Sequence, residues 1–291
     1  MAKARAVVKR RRAVQNIRKI TETMQLIATA RYQKAYQRAT ATQPYTAHIR
    51  EMLASVAQQA GLDDPLLKPN AGVPRSLMLV ITSNRGLAGA YNASVLRTAI
   101  HRRAELVQAG ITPDLEVVGK KGIAYFRFLG FPITARITDV DDRIAFARVA
   151  EMAERYMNAY RNGEIARVDV AYMRFHSMAS QRPAALQLLP IEPPSAPESE
   201  AARAQAAEFE FSPPAPELLA RLVPETVKTV LFQCFNDALL SEQVARMVAM
   251  KAATEAAGDM IKYLTRQYNR ARQAQITLEL ADIVGGAEAV K

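Results

Sequence analysis

Residues 225–283 read ETVKTVLFQCFNDALLSEQVARMVAMKAATEAAGDMIKYLTRQYNRARQAQITLELADI, a run with no proline and a single glycine, Gly258. Pro224, just before it, suits the first turn of a helix, where a missing N–H costs nothing. A helix over 224–283 extends roughly 90 Å at ~1.5 Å per residue. A compact globule of 291 residues has a diameter of only roughly 50 Å. The helix is therefore expected to protrude, and its apolar face needs a partner.

The other end of the chain offers one. Residues 4–60 contain no glycine and no proline other than Pro44, and read as a second long helix. In it Ala13, Ile17, Ile20, Met24 and Ile27 recur at 4-3-4-3 spacing; in the last helix Ile261, Leu264, Tyr268, Ala271, Gln275 and Leu278 follow 3-4-3-4-3. Heptad seams of this kind predict a left-handed coiled coil, here antiparallel, formed by the two ends of the chain. The seam is interrupted by Arg10, Arg31 and Lys34 on one helix and by Gln275 on the other. A coil built only for stability keeps such positions apolar, so the pair reads as a shaft whose outer face meets another protein; a plain stabilising hairpin is the alternative.

Between the helices the pattern changes. Short β-branched runs at 76–83, 114–119, 132–138, 166–177 and 185–191 alternate with helical patterns at 92–109, 120–129 and 143–162. That alternation predicts a Rossmann-like α/β domain over 74–191 with a mainly parallel five-stranded sheet. Pro193, Pro194, Pro197, Pro213, Pro214 and Pro216 make 192–217 a linker, with a short helix expected at 199–207. The predicted organisation is thus a 1–60 coiled-coil helix, the α/β domain, the linker, and a 218–287 coiled-coil helix.

The charge is placed as unevenly as the proline. Residues 1–50 hold twelve Lys and Arg against one acid, Glu22, which accounts for the whole net charge of +11. An Arg-rich, acid-poor start also has the composition of an organelle transit peptide, but the helical pattern begins near residue 10, so no removable leader is expected. A single cysteine, Cys234, excludes an intramolecular disulfide framework. No run of 18 apolar residues is present, so no direct membrane span is expected.

Catalytic signatures are sparse. His48, His101 and His176 are scattered without a Cys or acidic cluster at ligand spacing, and read as structural rather than metal-binding. The GKKG at 119–122 lacks the spacing and hydroxyl of a P-loop. SNRGLAGAYN at 83–92 follows a strand and opens a helix, where a phosphate could sit, but its GxxG is not the dinucleotide fingerprint. Tyr125, Phe126, Phe128 and Phe131 are spaced as ordinary core. No cofactor and no catalytic residue is expected.

Three blocks nevertheless carry a family signature: VQNIRKITETMQLIATARYQKA near the start, NRGLAGAYN in the turn, and SEQVARMVAMKAATEAAGDMIKYLTRQYNRARQAQITLELADIVGGAEAV at 241–290. The chain resembles, over nearly its full length, the gamma subunit of the bacterial rotary proton-translocating ATP synthase. The resemblance implies an antiparallel coiled coil in the cavity of an alpha/beta hexamer, with the α/β domain and shaft foot on the epsilon subunit and the membrane rotor ring. It implies a single, non-catalytic copy in a hetero-oligomer at the cytoplasmic face of the bacterial membrane, carrying torque for ATP synthesis coupled to proton transport. Met24 would face the acidic lever loop of beta, Arg246 would be a cation in the same region, and Gln273, Thr277 and Glu279 would make catch contacts. Asn84, Ala88 and Ala90 stand where the family commonly has Asp, Cys and Gly, and Leu278 replaces a usual Gln. Phe209 and Phe211 correspond loosely to aromatics near the rotor ring. The cysteine pair of the chloroplast thiol switch is missing.

Two other readings compete. A nucleic-acid-binding protein would use the basic helix on phosphates, but the cations surround the helix, only Tyr32, Tyr36 and Tyr45 interleave with them, and no nucleic-acid partner is expected. A stand-alone Rossmann-type enzyme lacks the fingerprint and leaves two long helices unexplained.

Overall fold

The computed structural model describes residues 2–60, 64–191 and 214–289; the expected helix at 199–207, Phe209 and Phe211 lie outside them. In chain order the elements are α1 (Ala2–Ala60), β1 (Arg75–Ile81), α2 (Tyr91–Gln108), β2 (Thr112–Val118), α3 (Lys120–Phe128), β3 (Ala135–Ile137), α4 (Phe146–Arg161), β4 (Val168–Phe175), β5 (Gln181–Leu189) and α5 (Ala215–Ala289). Two compact units result: Met1–Thr29 with Arg246–Lys291, and Ala30–Ala245.

The last helix starts earlier than its sequence suggests. The amides of Glu217 and Leu218 donate to the Pro214 carbonyl, at 3.0 and 3.1 Å, and open the ladder there. Pro224 accordingly lies inside α5, as Pro44 lies inside α1. Each removes one rung of its helix. Burial explains why α5 continues through the break: Leu219, Val223, Val227, Val230 and Leu231, on both sides of Pro224, all join one core cluster.

In the 30–245 unit the strand order is β3-β2-β1-β4-β5, parallel throughout except for β5, which returns antiparallel beside β4. Alternation along β1 sends Leu77, Leu79 and Ile81 into one layer and Met78 and Val80 into the other. The first layer is covered by α4, through Val149, Met152 and Tyr156, and by parts of α1 and α5, through Leu53, Val56 and Phe235. The second is covered by α2 and α3, through Val95, Leu96, Ile123 and Phe126. Of the four aromatics expected in the core, Phe126 is there, but Phe128 is 86% exposed and Tyr125 is also exposed. Helical periodicity turns Phe128 two residues away from the buried face, and spacing among aromatics alone did not reveal that.

A carboxylate is buried in each layer. Glu116 on β2 accepts both guanidinium nitrogens of Arg155 on α4, at 2.5 and 2.8 Å, and the Tyr156 hydroxyl at 2.7 Å. Asp169 on β4 accepts from Arg102 of α2 at 3.1 Å and from Arg167 at 2.7 and 2.9 Å. These pairs join helix to sheet by directional contacts within otherwise apolar layers.

Another buried acid is held by an uncharged side chain. Asp237 on α5 accepts from Gln233 at 2.7 Å. Burial pushes its carboxyl up to about 6, against the opposing pull of Gln233, the Phe175 amide and the Arg174 charge.

Two predictions follow from these acids. Glu116 is almost fully buried while half of Arg155 is exposed, so Arg155→Ala strands a buried charge and should cost about 3–5 kcal/mol. Glu116→Gln should cost much less, because Arg155 is rehydrated, and adding it to Arg155→Ala should restore part of the loss in chemical denaturation. For Asp237, the folded state holds its proton to higher pH than the unfolded chain does. Its contribution therefore falls as pH rises from the unfolded value, near 3.8, through about 6. Asp237→Asn should raise stability at pH 7, by on the order of 1–3 kcal/mol, and flatten the melting profile between those pH values.

Candidate partner-binding surface of the coiled coil

The unit formed by 2–29 and 246–289 is an antiparallel helix pair, as its cross-contacts show. Arg11 lies over the Tyr268 ring, 5.5 Å from its centroid. Further along, the Thr254 and Thr21 hydroxyls meet at 2.8 Å. Between them Val14, Ala257 and Leu264 form a buried cluster, with Val7 and Ile261 packed against it.

The inner row of α1 is therefore Val14, Thr21 and Ala28, at seven-residue intervals. This corrects the seam read from the sequence. Ile17, Ile20 and Ile27 are 52%, 59% and 48% exposed, and Met24 is half-buried. At 3.5 residues per turn, Ile17 and Met24 lie about 50° round the helix from the inner row, and Ile20 and Ile27 about 100°. Small residues line the inside of α1 because α5 supplies the bulk there, with Leu264 buried and Ile261 and Tyr268 half-buried. Ala271 and Gln275 continue the α5 row, but Leu278, placed in that row by its spacing, is 66% exposed.

Two apolar surfaces consequently face outward. One is the stripe of Ile17, Ile20, Met24 and Ile27. The other is the end of α5, where every residue from 276 to 286 is exposed. At 100° per residue, Ile276, Leu280, Ile283 and Val284 fall within about 100° of arc. Gln273 lies inside that arc, and Thr277 and Glu279 flank it on opposite sides. The Thr277 hydroxyl donates to the Gln273 carbonyl at 3.0 Å, and Glu279 accepts from Gln275 at 2.9 Å. Arg246, by contrast, is only 7% exposed; an outward cationic role for it is not what the helix pair presents. The signal that could have found the outer stripe is bulk: its isoleucines are larger than a close helix contact accommodates.

Cations surround the stripe. Arg5, Lys9, Arg10, Arg12, Arg18 and Lys19 are all exposed. Arg18 and Lys19 line, with Gln15, Asn16, Glu22 and Ile261, an open groove of ≈410 Å³. This arrangement suits a partner that offers apolar side chains together with acidic ones.

The α/β unit has a place where open sheets commonly bind ligands, the loop after β1 at the reversal of strand order. Here its groups are used internally. The amides of Lys120, Lys121 and Gly122, which open α3, donate to Asn84 Oδ1, the Ser83 carbonyl and Thr82 Oγ1, all at 3.0–3.1 Å. Asn84 also donates through Nδ2 to the carbonyls of Val140 and Thr138, at 2.7 and 3.1 Å, which an Asp at this position could not do. Gly119, at φ 92°, is required by the same closeness, since a Cβ there would lie 2.3 Å from the Thr82 carbonyl. The loop is a tight joint between β1 and α3. His48, His101 and His176 are exposed and apart; His101 pairs with Glu105 one turn on. Among the described residues no group of His, Cys, Asp and Glu is arranged to hold a metal, and no helix is long and apolar enough to cross a membrane.

Comparison with known proteins gives the same surface a context. A family model described as ATP synthase matches residues 3–290. A protein of Rhodopirellula baltica named ATP synthase gamma chain is 46% identical over 298 residues, spanning all of both chains. One of the same name from Gemmatimonas aurantiaca is 38% identical over 293 residues, again spanning both. Among solved structures, the rotor of the Euglena gracilis mitochondrial ATP synthase shares the fold. It has a TM-score of 0.65 and 21% identity, over 94% of this chain and 99% of that one. A chain of the OSCP/F1/c-ring structure of the same enzyme gives 0.67 and 19%, over 99% and 95%.

The corrected seam is directly testable. Leu264→Ala, at the buried centre of the pair, should destabilise the coil by about 2–5 kcal/mol, whereas Ile17→Ala should stay within about 0.5 kcal/mol. Helicity loss on heating, followed by circular dichroism, separates the two; equal effects would restore the isoleucines to the seam.

Proposed function

Because the chain belongs to the ATP synthase gamma-chain family, we propose that it is the central rotor shaft of a bacterial rotary ATP synthase. In that role it carries torque between a membrane ring driven by protons and a catalytic hexamer of alpha and beta subunits. The observation that carries the reading is the outward apolar surface of a helix pair whose inner seam is already filled. Among the described residues, a stripe of isoleucines on α1 and the Ile276, Leu280, Ile283 and Val284 face of α5 have no cover. Such surfaces in water are costly unless another protein encloses them.

The mechanism follows from the kinds of contact available. Apolar side chains are not directional, so a smooth apolar sleeve holds the end of α5 without favouring one angle strongly. Polar side chains at the margins are directional, and each exposed contact is worth only about 1 kcal/mol net. Gln273, Thr277 and Glu279, spread across and beside the apolar arc, would form contacts that break and re-form as the shaft turns. Met24 and the surrounding cations would meet the acidic lever loops of beta, which long-range attraction draws toward α1. Since the shaft is not symmetric about its axis, its angle decides which beta site is compressed and which is released.

The chain itself is non-catalytic in this reading. The amides that open α3, where a phosphate would sit, already donate within the protein, and ATP would form at sites on beta. The remaining partners are the epsilon subunit and the membrane rotor ring, met by the α/β unit and the foot of the shaft. One copy per complex, held peripherally at the cytoplasmic face of the membrane, completes the proposal.

Co-expression with alpha and beta subunits, followed by sizing and an ATPase assay, tests it. A complex of three alpha, three beta and one copy of this chain is expected; its failure to form would sink the proposal. The isolated chain should not bind ATP, and micromolar affinity would point to an enzyme instead. Converting Ile276, Leu280, Ile283 and Val284 together to serine should leave the melting of the isolated chain unchanged and weaken the complex at least tenfold.

A further inference from the structure

In the helix pair a side-chain hydrogen bond between Thr254 and Thr21 ties one helix to the other. Thr254 Oγ1 and Thr21 Oγ1 are 2.8 Å apart; Thr21 Oγ1 also lies 3.0 Å from the Arg18 carbonyl, and Thr254 Oγ1 2.8 Å from the Met250 carbonyl. Each hydroxyl has one proton and can accept as well as donate. Two proton arrangements are therefore possible. In one, Thr254 donates to Thr21 and Thr21 donates to Arg18; in the other, Thr21 donates to Thr254 and Thr254 donates to Met250. In both, an unbroken chain of hydrogen bonds runs from the backbone of α1 or α5 to the hydroxyl of the other helix. Thr21 is also buried, so water does not compete freely for the link.

We propose that Thr21 and Thr254 are positioning residues that stop α1 and α5 from sliding past each other under load. The inference rests on the rotor-shaft reading, because only a shaft that carries torque must resist such shear. Apolar packing resists separation of the helices but has little preference among axial positions. Here it is also thin and repetitive. The buried apolar residues of the pair are Val14, Ala28, Met250, Ala257 and Leu264, and Val7 stands one heptad from Val14, so a shifted pairing meets similar side chains. The hydroxyl pair has no equivalent at a shifted position, since the inner row of α1 has valine at 7 and 14 and alanine at 28. The cation–π contact of Arg11 with Tyr268 tolerates several ångströms of travel over the ring face; a hydrogen bond does not.

The test uses the full chain with Cys234→Ala, Glu22→Cys and Glu255→Cys, spin-labelled at the two introduced cysteines, on exposed positions of the two helices. The parent should give a single narrow distance distribution. Thr21→Val with Thr254→Val, which keeps shape and removes both hydroxyls, should broaden it at least twofold or add a second population. Thr21→Ser with Thr254→Ser, which keeps the hydroxyls, should leave it narrow. A valine pair as narrow as the parent overturns the proposal, and so does a serine pair as broad as the valine pair, since methyl packing would then hold the register. Within the complex with alpha and beta, the valine pair should also increase the angular fluctuation of a probe fixed to the shaft. If no complex forms, the rotor reading fails while the distances in the isolated chain still decide the role of the hydroxyls.

Discussion

A helix of 75 residues extends about 112 Å, and the rest of the structure depends on how its faces are covered along that length. Nearly all side chains between 226 and 244 are buried, because sheet, α4 and part of α1 are available to pack on them. From 246 to 275 burial contracts to one row, facing α1. From 276 to 286 none of the described residues covers the helix. Helix propensity is similar throughout, so what changes along α5 is the environment the residues meet. The covered part fixes the helix, the half-covered part pairs with α1, and the uncovered part exposes its apolar side chains.

The fold class was legible in the sequence because β1 to β4 combine β-branched residues with flanking turn signals, and the apolar run of β5 follows directly after them. All five runs appear as strands, and the reversal of strand order follows from ordinary right-handed crossovers. Elements whose bounds depend on tertiary cover were less legible. Pro224 looks like a helix start until Leu219 and Val223 are seen to be buried ahead of it. On α5 the inward row includes Leu264, so size and burial coincide. On α1 they part, and reading the largest hydrophobes as the seam puts it on the wrong side of Thr21. A sequence records how apolar a stripe is but not whether the facing helix has already filled the space. Arg246 shows the same limit in reverse: a charged residue is expected outside, and here it is buried.

Electrostatics divides the molecule in a similar way. In the α/β unit Glu116 and Asp169 are held by arginines within the apolar layers, and such pairs give a particular helix-to-sheet geometry more than net stability. On the shaft the cations are exposed on α1, with Glu22 the only acid among them, so their effect reaches outward and depends on salt. The loop after β1 belongs with the first group. Thr82, Ser83 and Asn84 direct their polar groups into the protein, and a position that other open sheets use for ligands has become a rigid corner.

The two prolines inside long helices bear on how such a rod deforms. Pro44 and Pro224 both fall within the 30–245 unit, and no proline occurs in the parts of α1 and α5 that pair as a coil. A missing rung is a point of low bending stiffness. Compliance is thus concentrated near the α/β unit, and the paired segment keeps an uninterrupted ladder on both helices. Within each long helix the proline-bearing stretch is therefore the one that bends, and the stretch that pairs as a coil is the one that stays straight.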